Sequence, residues 1–239
     1  MKRFLLVTLG ITGLYLGLNE MWLVLTPTLA SLFDARDAAG WERDAAAVTE
    51  ASREADGRLS PDTRVAAYRL GFHVGYCSNL LGSMALSSPE MQARVRQILD
   101  PRIKATQELG RTLGVGEISF LTVSSADEFG RVPDRLDEDE LGLASRLEAV
   151  TSRRHRHLLL LGMQVGVAAS LTEATGNSQM QALLRPRIGR HATLAGVPAA
   201  AWEPAATEPA GATPQAQWTA YQAALNALDE AIGQLPPLR

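Results

Sequence analysis

The sequence predicts a mainly α protein: an N-terminal transmembrane helix followed by a helical domain built from two related helix-hairpin repeats. Three observations carry this. Residues 4–33 hold a single charge, Glu20. Beyond them, apolar residues recur at steps of three and four between Ser-Pro-acid starts and Gly stops, the pattern of amphipathic helices. Two stretches also share landmarks in the same order: "LGFHVG" (70–75), "MQA" (91–93) and "LDPRI" (99–103), then "LGMQVG" (161–166), "MQA" (180–182) and "LRPRI" (184–188).

The totals set bounds. With 239 residues, 46% of them hydrophobic, the chain can bury a core, and its net charge of −3 supplies no field toward nucleic acid. Cys77 is the one cysteine, so no intrachain disulfide forms. Lys2 and Lys104 are the only lysines in an arginine- and alanine-rich chain, which points to a bacterial genome of biased base composition.

Residues 1–33 read as a signal-anchor. A spanning helix needs about 20 predominantly apolar residues, and residues 4–25 meet that, with Tyr15 and Trp22 as interfacial anchors. Cleavage near Thr28 and Ala30 is the competing reading, but the apolar run before that site is long for a signal peptide. Lys2 and Arg3 precede the span and a slightly acidic flank follows it. The N-terminus is therefore expected in the cytoplasm and the main domain in the periplasm, with one pass through the inner membrane. Gly10, Gly13, Gly17 and Glu20 fall on one helical face. Small residues four apart let membrane helices approach closely, and an acid at that depth seeks a donor. The stripe is expected to dock an integral membrane partner; the bland reading is common membrane-helix glycine, with Glu20 at the headgroups.

Residues 34–60 read as a connecting surface helix, rich in alanine and charge. The main domain spans 61–197, with repeats at 61–116 and 152–197. Ser60-Pro61-Asp62 starts a helix running to about Leu86, and Ser88-Pro89-Glu90 starts another. Pro101 is expected to break or kink it, so that each repeat has a shorter helix beginning at Pro101 or Pro186. "EISFLTV" (117–123) reads as the one credible strand, without a visible mate. Residues 124–136 read as a polar loop. Asp137 to Glu140 then open a helix that continues through Arg153-Arg154-His155-Arg156-His157 into "LLLLGMQVGVAASL" and stops at Gly176. Its fourteen-residue apolar run, 158–171, suits a buried core better than a membrane. Residues 198–216 read as a Pro/Ala-rich arm, and 217–239 as an amphipathic helix (Trp218, Tyr221, Leu225, Leu228, Ile232) with a tail.

Gly71/Gly75 and Gly162/Gly166 put a Gly-x-x-x-Gly pair in each repeat. Glycine inside a helix costs about 1 kcal/mol relative to alanine, which a helix accepts when another backbone must come close. The two glycine faces are expected to cross at a pseudo-twofold centre.

For chemistry, His73 and Cys77 sit four apart, a spacing that suits a metal or a thiolate–imidazole pair. The second repeat has Gln164 and Ala168 there, so a buried cysteine and a hydrogen-bonded histidine explain the pair equally well. Arg153, Arg154 and Arg156 form a possible anion or partner patch, or simply balance the acids at 137–140. Arg102 and Arg187 are expected to tie a loop carbonyl or an acid. No phosphate loop, haem, GxSxG or HExxH motif occurs, so no cofactor, metal or enzyme activity is implied. The expectation is a non-enzymatic, membrane-anchored accessory or scaffolding subunit of a membrane complex. The alternative is a periplasmic small-molecule binding or sensing domain.

Overall fold

The computed structural model describes residues 62–236, apart from 86, 176–178, 210 and 212. The segments 1–33 and 34–60, with the Gly10/Gly13/Gly17/Glu20 stripe, lie outside the described residues, as does the Gly176 stop. Helix accounts for 78% of the described residues and strand for none, so the fold is mainly α. The helices are α1 (Asp62–Ala85), α2 (Pro89–Thr112), α3 (Ala126–Gly130), α4 (Val132–Asp137), α5 (Leu143–Val150), α6 (Arg153–Thr175), α7 (Gln179–Ala195), α8 (Ala199–Trp202) and α9 (Pro214–Gly233), with a 3-10 turn at Pro204–Ala206. Among the described residues no helix is long and apolar enough to cross a membrane.

The centre is the α1–α6 pair. From His157 to Ser170, α6 is buried on every side, as an apolar helix without a polar face must be. Its four glycine contacts with α1 are reciprocal. A Cβ on Gly71 would lie 2.8 Å from the Leu159 carbonyl carbon, and one on Gly162 would lie 2.7 Å from the Phe72 nitrogen. Gly75 meets Met163 at 2.7 Å, and Gly166 meets Phe72 at 2.9 Å. Real Cβ atoms stay beyond 3.0 Å, so only glycine permits this approach. The contacts advance together along both helices, ending at Asn79 Nδ2, which donates to Ser170 Oγ at 2.8 Å. The two helices are therefore parallel.

The remaining helices cover this pair. α2 and α9 pack on α1; α4, α5 and α7 pack on α6; α8 and the 3-10 turn bridge α7 and α9. Tyr221, Leu228 and Ile232 of α9 are buried, so the C-terminal helix completes the core. It begins at Pro214, one turn earlier than the pattern predicts at its sharpest, capped by Thr213 Oγ1 accepting from Ala216 N at 3.2 Å.

Several expectations are corrected. Pro101 and Pro186 lie inside continuous helices α2 and α7 and start neither. Interior proline costs about 3 kcal/mol; here the flanking Leu99 and Arg102, and Leu184 and Ile188, are buried and hold each helix on both sides of the ring. "EISFLTV" is extended but not a strand. Its polar backbone is met by side chains: Gln107 accepts from Ile118 N at 2.7 Å and donates to Ile118 O, while Ser78 Oγ accepts from Leu121 N at 3.2 Å. Ile118, Leu121 and Val123 are buried, which accounts for its apolar residues. The 124–136 stretch is not a loop. Ser125 Oγ accepts from Glu128 N at 3.2 Å and Glu128 accepts from Ser124 N at 2.6 Å, a capping-box arrangement that starts α3. The helix expected to run from Asp137 into α6 is not formed as one piece: Asp137 ends α4, residues 138–142 turn, and α5 is separated from α6 at Thr151-Ser152. Its acids still act at a helix start: the Asp139 carboxylate accepts from the N–H groups of Ala144 and Ser145, each at 2.8 Å, at the head of α5. The 198–216 arm contains α8 and the 3-10 turn, with Ala205 and Ala206 buried.

Candidate functional site

A cleft of about 420 Å³ opens where α1, α2, α6 and α9 meet. On α1, Tyr68, Phe72 and Tyr76 are spaced four apart and line it, with Arg69 and His73 beside them. Arg102 enters from α2, Glu173 from α6, and Trp218, Gln222, Leu225, Asn226 and Asp229 from α9. These residues come from four segments far apart in sequence.

The walls alternate aromatic faces with charge. Phe72 and Tyr76 stack with ring centroids 6.1 Å apart. The buried Arg102 guanidinium lies over the Tyr76 ring, 5.2 Å from its centroid, a cation–π placement. The Tyr76 hydroxyl donates to Glu173 Oε2 at 2.6 Å, so Arg102 and Glu173 both reach the same tyrosine. At the other end Arg69 donates twice to Asp229, from Nε at 3.0 Å and Nη2 at 2.7 Å, a bidentate pair that fixes α1 to α9. The Tyr68 hydroxyl is buried and has no hydrogen-bond partner among the described residues. Burial, reinforced by Asp229, raises its pKa well above the ordinary value, so it keeps its proton. Burial, then the charges of Arg102 and Arg69, hold His73 well below the usual histidine range, so at neutral pH it is uncharged. Among the described lining residues, two arginines and two carboxylates stand in the cleft walls.

Of the residues singled out from sequence, His73 lines the cleft and is mostly buried. Cys77 lies in a fully buried cluster with Tyr76, Leu80, Leu99 and Tyr221, and burial pushes its thiol up to about 12. A thiol held protonated is neither nucleophile nor ligand, and among the described residues no group of three metal-ligating side chains converges. Gly71, Gly75, Gly162 and Gly166 meet at the α1–α6 contact.

The arginines 153, 154 and 156 are divided among separate tasks. Arg154 donates to the carbonyls of Ala195 and Pro236, each at 2.7 Å, and Arg156 pairs with Glu148 at 2.9 Å, while Arg153 is exposed. Arg187 pairs with Asp134 of α4, the acid partner expected of it.

A second polar cluster was not visible in sequence. His157 Nδ1 lies 3.3 Å from His191 Nδ1, and His191 Nε2 lies 2.7 Å from Asp137 Oδ1, with Arg190 on the same carboxylate. It ties α6 and α7 to the end of α4. Burial raises the Asp137 carboxyl, but the hydrogen bonds from His191 and Arg190 outweigh this, and the net shift is downward.

Compared with protein-family models, with curated proteins and with solved structures, the chain matches none. The site is read from its own chemistry.

Proposed function

We propose that this chain is a non-enzymatic binding protein, tethered to a membrane by its N-terminal segment, whose helical domain takes up a small molecule in the α1/α2/α6/α9 cleft. The observation that carries this reading is the buried Tyr68 hydroxyl, without a partner among the described residues, in a 420 Å³ cleft walled by aromatic rings and fixed charges. Small-molecule sites are typically clefts of about 300–1,000 Å³ with apolar walls and a few placed polar groups. A buried hydroxyl left unpaired costs about 1–3 kcal/mol, which a ligand recovers.

The two-repeat architecture belongs to this proposal and is supported by the reciprocal glycine contacts. One offset of 91 residues carries Gly71 onto Gly162, Gly75 onto Gly166 and Asn79 onto Ser170. The second helices end alike as well: Gly114 and Gly196 both have φ +75°, followed by Val115 N donating to Gly110 O and Val197 N to Ala192 O.

The test is ligand-observed NMR of the full chain with a set of small aromatic and polar fragments, repeated with Asn226→Trp. Asn226 is exposed on the cleft rim, so the larger side chain fills the cleft without disturbing the core. The reading expects fragments that bind the native chain and are lost in the variant. If no fragment binds, or binding survives the variant, it fails.

The accessory-subunit reading keeps one structural support. Leu183 and Leu194 are 62% and 51% exposed, and Leu194 borders an apolar groove with Trp202 and Gly189 between α7 and α8. Copurification of a membrane protein that is lost with Gly13→Leu/Gly17→Leu favours that reading.

A further inference from the structure

His157 on α6 and His191 on α7 are buried and stacked, with ring centroids 5.5 Å and Nδ1 atoms 3.3 Å apart. Asp137, at the end of α4, meets the other nitrogen of His191, Nε2, at 2.7 Å. Its carboxyl is held below the usual range, so at neutral pH it is ionised and only accepts. His191 Nε2 therefore carries a hydrogen. When the ring is neutral its Nδ1 is bare and accepts from His157 Nδ1–H. His157 Nε2 is then bare too, in keeping with its lack of a hydrogen-bond partner among the described residues.

The contact requires one hydrogen between the two rings. A first added proton preserves it, because one ring still donates while the other accepts. A second proton puts an N–H on both facing nitrogens, with no acceptor between them, and sets two cations side by side in a buried junction. That arrangement is costly on both counts. Among the described residues, the charged groups facing the pair are Arg153 and Arg156 on α6, Glu148 on α5, Arg190 on α7 and Asp137 on α4. Each acid already holds an arginine: Arg156 on Glu148 at 2.9 Å, and Arg190 on Asp137. Burial, then the charges of His191, Arg153 and Arg156, keep His157 below the usual histidine range, with Glu148 opposing them.

The polar ties around the pair are uneven. α4 and α7 are joined by Asp134–Arg187, Asp137–Arg190 and Asp137–His191, none of which is broken when the histidines gain protons. The α4–α7 edge is tied to α6 by the histidine contact and by Gln164 Nε2, which donates to Pro133 O at 3.0 Å. Arg154 on the Ala195 carbonyl pins the end of α7, so any parting is local.

We infer that the His157–His191 contact is an acid-sensitive latch. With at most one added proton it holds the α4–α7 edge on α6; with both rings charged, the edge parts from α6 between His157 and Gln164. No residue that lines the cleft takes part, so the latch stands apart from the small-molecule reading.

The experiment is a titration of the full chain in mild detergent from about pH 7.5 to about pH 4.5, followed by NMR of 15N-histidine rings and of leucine and isoleucine methyl groups. His157 is expected to become doubly protonated only below pH 6.5. The methyl signals of Leu136 and Ile188, buried residues of α4 and α7, are expected to shift with the same midpoint. His157→Phe, which keeps a ring in place but takes no proton, is expected to hold both methyl signals fixed over that range. His155→Leu, which leaves the pair intact, is expected to leave the transition where it is. Methyl signals that still move in His157→Phe overturn the latch. So does a His157 ring that takes its proton while the methyl signals stay still, or one that takes none over the whole range. The native-chain midpoints decide the matter if His157→Phe folds poorly.

Discussion

Gly71→Ala is the most informative single change in the core. Its Cβ would lie 2.8 Å from the Leu159 carbonyl carbon and closer still to the oxygen, whereas ordinary contact begins at 3.4 Å. The nearer carbonyl oxygen sets the limit, so the α1 and α6 backbones must separate by more than about 1 Å, and backbone cannot rotate away as a side chain does. Overpacking of a tight core costs typically 1–3 kcal/mol and sometimes more. A direct backbone clash belongs at the upper end, about 3 kcal/mol. Alanine returns about 1 kcal/mol in helix propensity, leaving a net loss of about 2 kcal/mol. For a domain of this size that lowers the midpoint by roughly 4–8 °C. The assay is urea and thermal unfolding by circular dichroism of the full chain, with Gly130→Ala as control, because a Cβ there meets nothing within 4 Å. Gly71→Ala/Gly162→Ala should cost less than the sum of its parts, since one separation relieves both clashes. If Gly71→Ala is neutral or stabilising, as propensity alone requires, the close crossing is wrong.

Further outcomes follow from the polar interior. His155 is buried, which with Arg64 and Arg154 lowers its pKa to about 4 against 6.5 in an unfolded chain. Its contribution is complete above pH 6.5 and is lost as pH falls toward 4, up to about 3 kcal/mol; His155→Leu should flatten that part of a urea-midpoint profile. Asp137 loses stability in the same direction of pH, although there the fold favours the charged form. Its lowered pKa stabilises the fold above the usual carboxylate range and is lost as pH falls through the folded value, so Asp137→Ala should cost about 1–3 kcal/mol at pH 7 and much less in acid. Gln107→Ala removes both side-chain hydrogen bonds to Ile118 and should speed amide exchange at Ile118 well before it speeds exchange in α1.

The helix starts were legible because their signals are local. Pro89 opens α2 at the predicted position, whereas Thr213-Pro214, which opens α9, was read as part of the Pro/Ala-rich arm and the helix expected only from 217. The glycine pairs were legible because glycine in an apolar helix has few other reasons to be there. The 117–123 segment was misread because a short apolar run reports which side chains are buried, not what the backbone bonds to; Gln107 and Ser78 take the place of a neighbouring strand. The S-x-x-E signature at Ser125–Glu128 was present and overlooked. The prolines at 101 and 186 were misread because packing on both sides overrode a local rule.

The cleft itself was not legible. Tyr68, Arg102, Glu173 and Trp218 converge only after four helices have packed, and no spacing links them. One signal did exist: Tyr68, Phe72 and Tyr76 form an i, i+4 aromatic stripe flanked by Arg69 and His73 on a helix otherwise built for burial. Polar residues beside such a stripe mark a face that no helix among the described residues fully covers.

The central claim is that the cleft receives a small molecule, and Trp218 reports on it directly. The measurement is a two-dimensional spectrum of indole-15N-tryptophan in the full chain during titration with the binding fragments. Trp218 lines the cleft, whereas Trp202 sits against Gly189 on the far groove. The account predicts a saturable shift of the Trp218 indole signal while Trp202 stays fixed, lost in Asn226→Trp. An unmoved Trp218 signal at saturating ligand, or a Trp202 shift of equal size, would contradict it.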